Sequence, residues 1–265
     1  MANGTTKLDK GVVKRGVVTP DKHFPLHDAP AINVLTQAIK IIKPDFYVDL
    51  GDTGEWGSVS HYQWKRKRRP PLEYQLPRVY EDIKQVNEGI DIIDESLDKV
   101  NCKEKYFTEG NHDAWLNHFS EENPFLQCLD AKSAMRMDKR GYDYYPNGKY
   151  LRIGKLSYYH GNHYASMNHT KNHLMRLGTN IIYGHHHDLQ QTSITHIDGP
   201  KSAWSLGCLK DMSSEANAWL GGRQTNWAHA FAVVDYFEDG NFTVHVVNII
   251  NGITSLWGQK LNGNK

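Results

Sequence analysis

Sulfur, net charge and long apolar runs are what this chain has little of. Its three cysteines, Cys102, Cys128 and Cys208, are scattered and form no Cys-x-x-Cys pair. That argues against a thiolate zinc site or a disulfide framework and fits reduced thiols in a cytosol. The formal charge is only +1, so no global field recruits a polyanion, and a nucleic-acid contact would need a local patch. No apolar run approaches membrane-spanning length. The opening, residues 1–11, is polar and basic, unlike a signal peptide or an anchor. Repeats and low-complexity segments are absent as well. The expectation is a cytoplasmic protein with no membrane partner. Its 265 residues suffice for a single domain with a substantial core. The sequence leaves the oligomeric state open.

What the chain does have is histidine, fifteen in all, and several follow short β-prone runs. Residues 16–19 read as a strand, then come Asp21-Lys22-His23. Asp28 can cap a helix with Pro30 in its first turn, and Ile32, Leu35, Ile39 and Ile42 recur at helical spacing. Phe46-Tyr47-Val48 starts a second strand and runs into Gly51-Asp52. Residues 53–77 look like a loop. Val79, Ile83, Val86, Ile90, Ile93, Leu97 and Val100 then keep one buried helical stripe. Tyr106-Phe107 precedes Thr108-Glu109-Gly110-Asn111-His112-Asp113. Residues 114–145 look irregular and suggest an inserted cap. Beyond them the texture turns to β. A hairpin over 150–159 ends in His160-Gly161, a strand over 181–183 delivers Gly184-His185-His186-His187, and further strands fall at 192–197, 202–206, 231–236 and 242–249.

Each polar cluster therefore sits just after a strand, where open α/β sheets place their ligands. If those ends converge, the site holds Asp21, His23, Asp52, Asn111, His160, His185 and His187, oxygen and nitrogen donors without sulfur. Such a set suits a pair of divalent first-row ions. One carboxylate, naturally Asp52, can bridge two ions and so clamp phosphoryl oxygens for in-line hydrolysis.

The ordered set Asp21-x-His23, Gly51-Asp52, Gly110-Asn111-His112-Asp113, His160-Gly161 and Gly184-His185-x-His187 resembles the five signatures of the calcineurin-like metallophosphoesterase superfamily. That resemblance implies an α/β (α+β) fold of four layers, a two-sheet β-sandwich flanked by helices. It implies two divalent metal ions, manganese first, with iron, zinc, nickel or cobalt as alternatives. Asp21, His23, Asp52 and His187 would hold one ion, and Asp52, Asn111, His160 and His185 the other. His112 would act as the acid on the leaving oxygen, with Asp113 its partner. Lys22, Phe24-Pro25 and Asn162 depart from the family pattern, the last standing where the nuclease branch often has a histidine.

Outside those motifs, the run Lys65, Arg66, Lys67, Arg68 and Arg69 offers a grip for a phosphate backbone or nucleotide, with Trp56, Tyr62 and Trp64 near enough to stack on bases. A solvated loop is the bland alternative. His163 could contact substrate. The loop from Trp219 to His229 could complete a substrate pocket. His169 and His173, one helical turn apart, read as an exposed helical face, and His186 should point away from its neighbours. The functional expectation is a dinuclear phosphoesterase, first a phosphodiesterase on a nucleic acid or nucleotide that uses a hydroxide held between the ions. A phosphomonoesterase, or a catalytically silent metal-binding scaffold, is the alternative.

Overall fold

The first strand–helix–strand unit forms as its residues dictate. In the computed structural model, which describes residues 11–60, 62, 68–126 and 129–265, β1 (Lys14–Thr19) leads to α1 (Ala29–Ile42). Asp28 Oδ1 accepts from the Ala31 N–H at 2.7 Å, satisfying one of the helix's orphan donors. The stripe Ile32, Leu35, Ile39 and Ile42 is buried, and Lys43 closes the helix in the left-handed region. β2 (Phe46–Asp49) then pairs in parallel with β1, Val18 opposite Val48.

α2 (Leu72–Lys99) starts earlier than its apolar stripe, so that Pro77 lies inside it. A proline there removes one intrahelical N–H. Burial of Val79, Val86, Ile90, Ile93 and Leu97, about 1.5–3 kcal/mol for each fully buried large side chain, outweighs that loss. β3 (Glu104–Thr108) follows, then α3 (Asn111–Glu122), α4 (Ala131–Ala134), α5 (Met137–Arg140) and β4 (Tyr142–Tyr145). The 114–145 stretch thus supplies helices and a strand that pairs in parallel with β3. Its run Tyr142-Asp143-Tyr144-Tyr145 lacks the aliphatic alternation that marks a strand in a sequence.

β10 (His229–Tyr236) and β11 (Phe242–Ile249) complete a six-stranded sheet of order β11-β10-β1-β2-β3-β4. The second sheet contains β5 (Leu151–Ile153), β6 (Leu156–Tyr158), β7 (Asn180–Tyr183), β8 (Leu189–His196) and β9 (Gly199–Leu206), with α6 (His169–Leu177) between β6 and β7. Its order is β5-β6-β7-β9-β8.

Three apolar interfaces define the layers. Val18, Val48 and Val234 of the first sheet meet Leu156, Tyr158, Ile182 and Leu206 of the second. The other face of the first sheet, with Val17, Tyr47 and Phe231, packs against Leu35 and Ile39 of α1 and Val86 and Ile93 of α2. Leu174 of α6 covers Ile181, Tyr183 and Ala203 on the outer face of the second sheet. The result is helices, sheet, sheet and helix, the four-layer sandwich expected from the motifs.

A C-terminal hairpin, β12 (Ile253–Leu256) and β13 (Gln259–Asn262), packs near α1 and had no legible signal. Its two-residue turn, Trp257 (φ 49°) and Gly258 (φ 78°), has the two positive φ angles of a type I′ turn but lacks the Asn or Asp that normally announces one. Among the described residues no helix is long and apolar enough to cross a membrane.

Candidate metal centre

The site is assembled from the turns after β1, β2, β3, β6 and β7. The Asp52 carbonyl accepts from the N–H groups of Lys22 and His23 at 3.1 and 3.0 Å, which stitches the first two turns together. Lys22, between two ligand candidates, faces the other way. Its Nζ lies 2.8 Å from Asp49 Oδ1, and Asp49 also accepts from the Gly51 N–H at 3.0 Å and the Thr53 hydroxyl at 2.8 Å. The lysine charge is thereby neutralised in shaping the turn that presents Asp52.

His23, Asp52, His185 and His187 all sit in the left-handed region, at φ 52°, 45°, 64° and 61°. Each costs on the order of 1–2 kcal/mol relative to ordinary backbone, and such strain gathers where a side chain must be aimed. Two motif glycines make room. A Cβ on Gly110 would lie 2.1 Å from Asp52 Oδ1, and one on Gly184 would lie 2.0 Å from Asp21 Oδ1.

Among the described residues the candidate donors meet in three groups, Asp21 with His23 and His187, Asp52 with His160 and His185, and His23 again with Glu55 and His112, each with its donor atoms within 4.8 Å of one another. In the first, His23 Nε2 and His187 Nε2 are 3.1 Å apart, and His187 Nε2 is 3.2 Å from Asp21 Oδ2. In the second, His160 Nε2 is 3.2 Å from Asp52 Oδ2, 3.0 Å from Asn111 Oδ1 and 3.2 Å from His185 Nδ1. His185 joins the groups, since its N–H donates to the Asp21 carboxylate at 2.9 Å. His185 and His187 therefore serve different groups, because their left-handed backbone turns them apart where an extended strand would have aligned them.

Acceptors behind the rings set the tautomers. His23 Nδ1 lies 2.7 Å from Glu55 Oε2, and His160 Nδ1 lies 2.8 Å from the Leu50 carbonyl. The His160 hydrogen bond places the ring proton on Nδ1 and leaves the Nε2 lone pair for the site, the arrangement of metal-ligating histidines, and the Glu55 carboxylate beside His23 Nδ1 favours the same tautomer there. Burial would raise the Asp21 and Asp52 carboxyls, but the His187 hydrogen bond on Asp21 and the His160 charge beside Asp52 hold both below the usual carboxylate range. Burial pushes His23 down to about 4 and His185 to about 3. His160 is the exception: burial opposes its charge, yet Asp52 wins and raises it to about 10. Ionised carboxylates and neutral imidazoles are the ligand states, and the His160 proton is the one a cation would displace. The residues fit a divalent first-row ion.

His112 stands at the first turn of α3. Its N–H donates to Asp52 Oδ1 at 2.8 Å, so the helix N-terminus faces that carboxylate. Its Nδ1 lies 3.1 Å from the Glu55 carbonyl, which leaves Nε2 to carry or release a proton. Asp113, expected to orient this imidazole, does something else. It is fully buried and accepts from Trp56 Nε1 at 2.9 Å, Gly54 N at 3.2 Å and Gly110 N at 3.1 Å. Burial and the nearby Asp52 charge push it up to about 7. As the third residue of α3 it reaches back to the capping position, so it ties two motif turns together and the Glu55 carbonyl orients His112.

The expected substrate contacts fare differently. Lys65, Arg66 and Lys67 lie outside the described residues. Arg68 falls within them, and Arg69 pairs with Glu122. His163 is exposed, its Nδ1 3.2 Å from the Tyr150 hydroxyl. His169 and His173 are buried, contrary to the exposed face expected of them. His169 stacks on His186 at 3.7 Å and pairs with Asp188 at 3.0 Å, while His173 stacks on Tyr183 at 4.0 Å. The reason is that α6 lies flat on the second sheet, which its short polar sequence did not announce. Glu55, which also pairs with Lys210 at 2.6 Å, is the main contributor missed. An acid three residues beyond Asp52 was the available signal.

No family model matches the chain. It is 24% identical over 265 residues to the Gene 54 protein of Mycobacterium phage L5, spanning 93% of this chain and 98% of the phage protein. Among solved structures it is similar to a Vps29 variant from Entamoeba histolytica, at 13% identity and a TM-score of 0.48, covering 93% of this chain and 98% of that one. It is also similar to Yfce, a phosphoesterase from E. coli, at 14% identity and a TM-score of 0.37, covering 89% and 100%. Layer order and motif placement agree with what the signatures implied. The architecture is the four-layer α/β sandwich that the resemblance implied.

Proposed function

We propose that the chain is a single-domain, two-metal phosphodiesterase. Asp21, His23, Asp52 and His187 hold one divalent ion, and Asp52, Asn111, His160 and His185 hold the other. The observation that carries this reading is the facing of ring nitrogens 3.1–3.2 Å apart around buried carboxylates, on a backbone strained at four of the same residues. When bound, such ions supply a nucleophile at neutral pH and neutralise charge on the phosphoryl oxygens. The protein's own groups do the rest. Asp52 is fixed by the N-terminus of α3, Glu55 orients His23, and His112 offers Nε2 to the leaving oxygen as general acid. Manganese is the ion the donor set favours in our reading, and a nucleic acid or nucleotide is the substrate.

Metal-stripped protein resupplied with Mn²⁺ should hydrolyse a chromogenic phosphodiester in preference to the matching monoester. Preference for the monoester would replace this reading with a phosphatase. Silence on both with metal bound would replace it with a scaffold.

A further inference from the structure

Two cavities each have in their wall a tryptophan whose ring packs against a histidine of the candidate metal centre. The first, about 480 Å³, is lined by Arg69, Trp115, Glu121 and Glu122 among others. The Trp115 indole lies 3.9 Å from the His112 imidazole, tilted by 32°, and Tyr62 approaches its edge at 5.8 Å. The second, about 660 Å³, is lined by Asp28, Asp211, Trp227, Asn248 and Asn251 among others. Its Trp227 ring lies 4.6 Å from that of His187, at 65°. His112 follows a strand of the first sheet and His187 one of the second, so the two tryptophans pack on different histidines of the one centre.

Both cavities share one chemistry. Each sets an indole beside carboxylates, Glu121 and Glu122 with their partners His118 and Arg69 in the first and Asp28 and Asp211 in the second, and the second adds amides. A nucleobase presents the complement: a π-face that stacks on an indole, and edge amino groups that donate to carboxylates and amides. Two such tryptophans on different histidines of one centre suit a substrate with two substituents. A phosphomonoester has one substituent to place, a phosphodiester two.

We propose that Trp115 and Trp227 are stacking platforms for the two bases that flank the scissile phosphate, so that the substrate is a phosphodiester between two nucleosides in a dinucleotide or a single strand. This rests on the phosphodiesterase reading above. It assigns Trp115 and Trp227 as specificity residues, and it requires unpaired bases, because a duplex keeps their faces covered.

The test compares a dinucleotide with two analogues, each lacking one base, on wild-type protein and on Trp115→Leu, Trp227→Leu and the corresponding Phe variants. Removing either base should lower wild-type kcat/KM on the order of tenfold. Each Leu variant should lose a similar factor on the dinucleotide and nothing further on the analogue lacking its own base, while Phe retains most of the activity. Equal losses with and without the base would overturn the inference, as would indifference of the wild type to both bases, a comparison that needs no variant to fold. Binding of an uncleavable methylphosphonate dinucleotide to metal-free protein gives a second readout with the same expected pattern. The pattern in binding without turnover would sink the phosphodiesterase reading alone. Diester turnover indifferent to the bases would sink this inference alone.

Discussion

Two groups of histidines lie in this molecule, one at the rim of the sheets and one beneath α6, and they behave differently. Beneath α6, His169 rests on Asp188, the Tyr183 hydroxyl and the His186 ring, and the His173 Nδ1–H donates to the His169 carbonyl at 2.7 Å. These are partners that a packed layer ordinarily supplies. At the rim, His23 faces His187 and His160 faces His185, four candidate ligands lie in the left-handed region, and two fully buried carboxylates have histidines as their salt-bridge partners. Buried histidine is therefore no mark of a site. Ring nitrogens converging on one another, held by backbone strain, are.

That contrast can be broken by substitution, starting where the loss should be greatest. Asp52→Asn should remove on the order of 10³-fold or more of kcat/KM, because the carboxylate that the proposed centre gives to both ions is gone. Retained turnover would show that Asp52 holds no ion. His112→Gln should cost about 10²–10⁴-fold in kcat while the metal content measured by atomic emission is unchanged. Loss of metal instead would make His112 a ligand. Glu55→Gln should weaken metal binding about 10–100-fold, seen as a lower chelator concentration for inactivation. An unaltered chelator midpoint would reduce Glu55 to a partner of Lys210.

The outer group should respond through stability. Burial lowers His173 from 6.5 to about 4, so between those values the unfolded chain binds a proton that the folded chain does not. Stability from this group is present above pH 6.5 and lost as pH falls toward 4. His173→Phe, which can keep the stacking on Tyr183, should make the melting temperature fall less steeply over that window and leave activity per bound metal unchanged. Parallel melting profiles would mean that His173 titrates normally.

The sequence was most legible where spacing and chemistry coincide. The motif residues after five strands, the cap at Asp28 and the stripes of α1 and α2 could all be read from residue type and period. The second hairpin strand pair was not, since its turn is Trp257-Gly258. β4 was hidden by a tyrosine-rich edge, and the burial of His169 and His173 depends on how α6 docks, which nine mainly polar residues do not specify. Asp113 was misread for a related reason. Its neighbours in sequence suggested an imidazole partner, whereas the fold brings Gly54 and Trp56 to it from another turn. Long-range contacts of that kind have no periodic signature.

The most direct test of the central claim is the metal stoichiometry. Metal-stripped protein titrated with Mn²⁺ under equilibrium dialysis should bind two ions per chain, and Asp52→Asn should weaken both. One ion per chain, or two that Asp52→Asn leaves undisturbed, would contradict a centre built around a shared carboxylate.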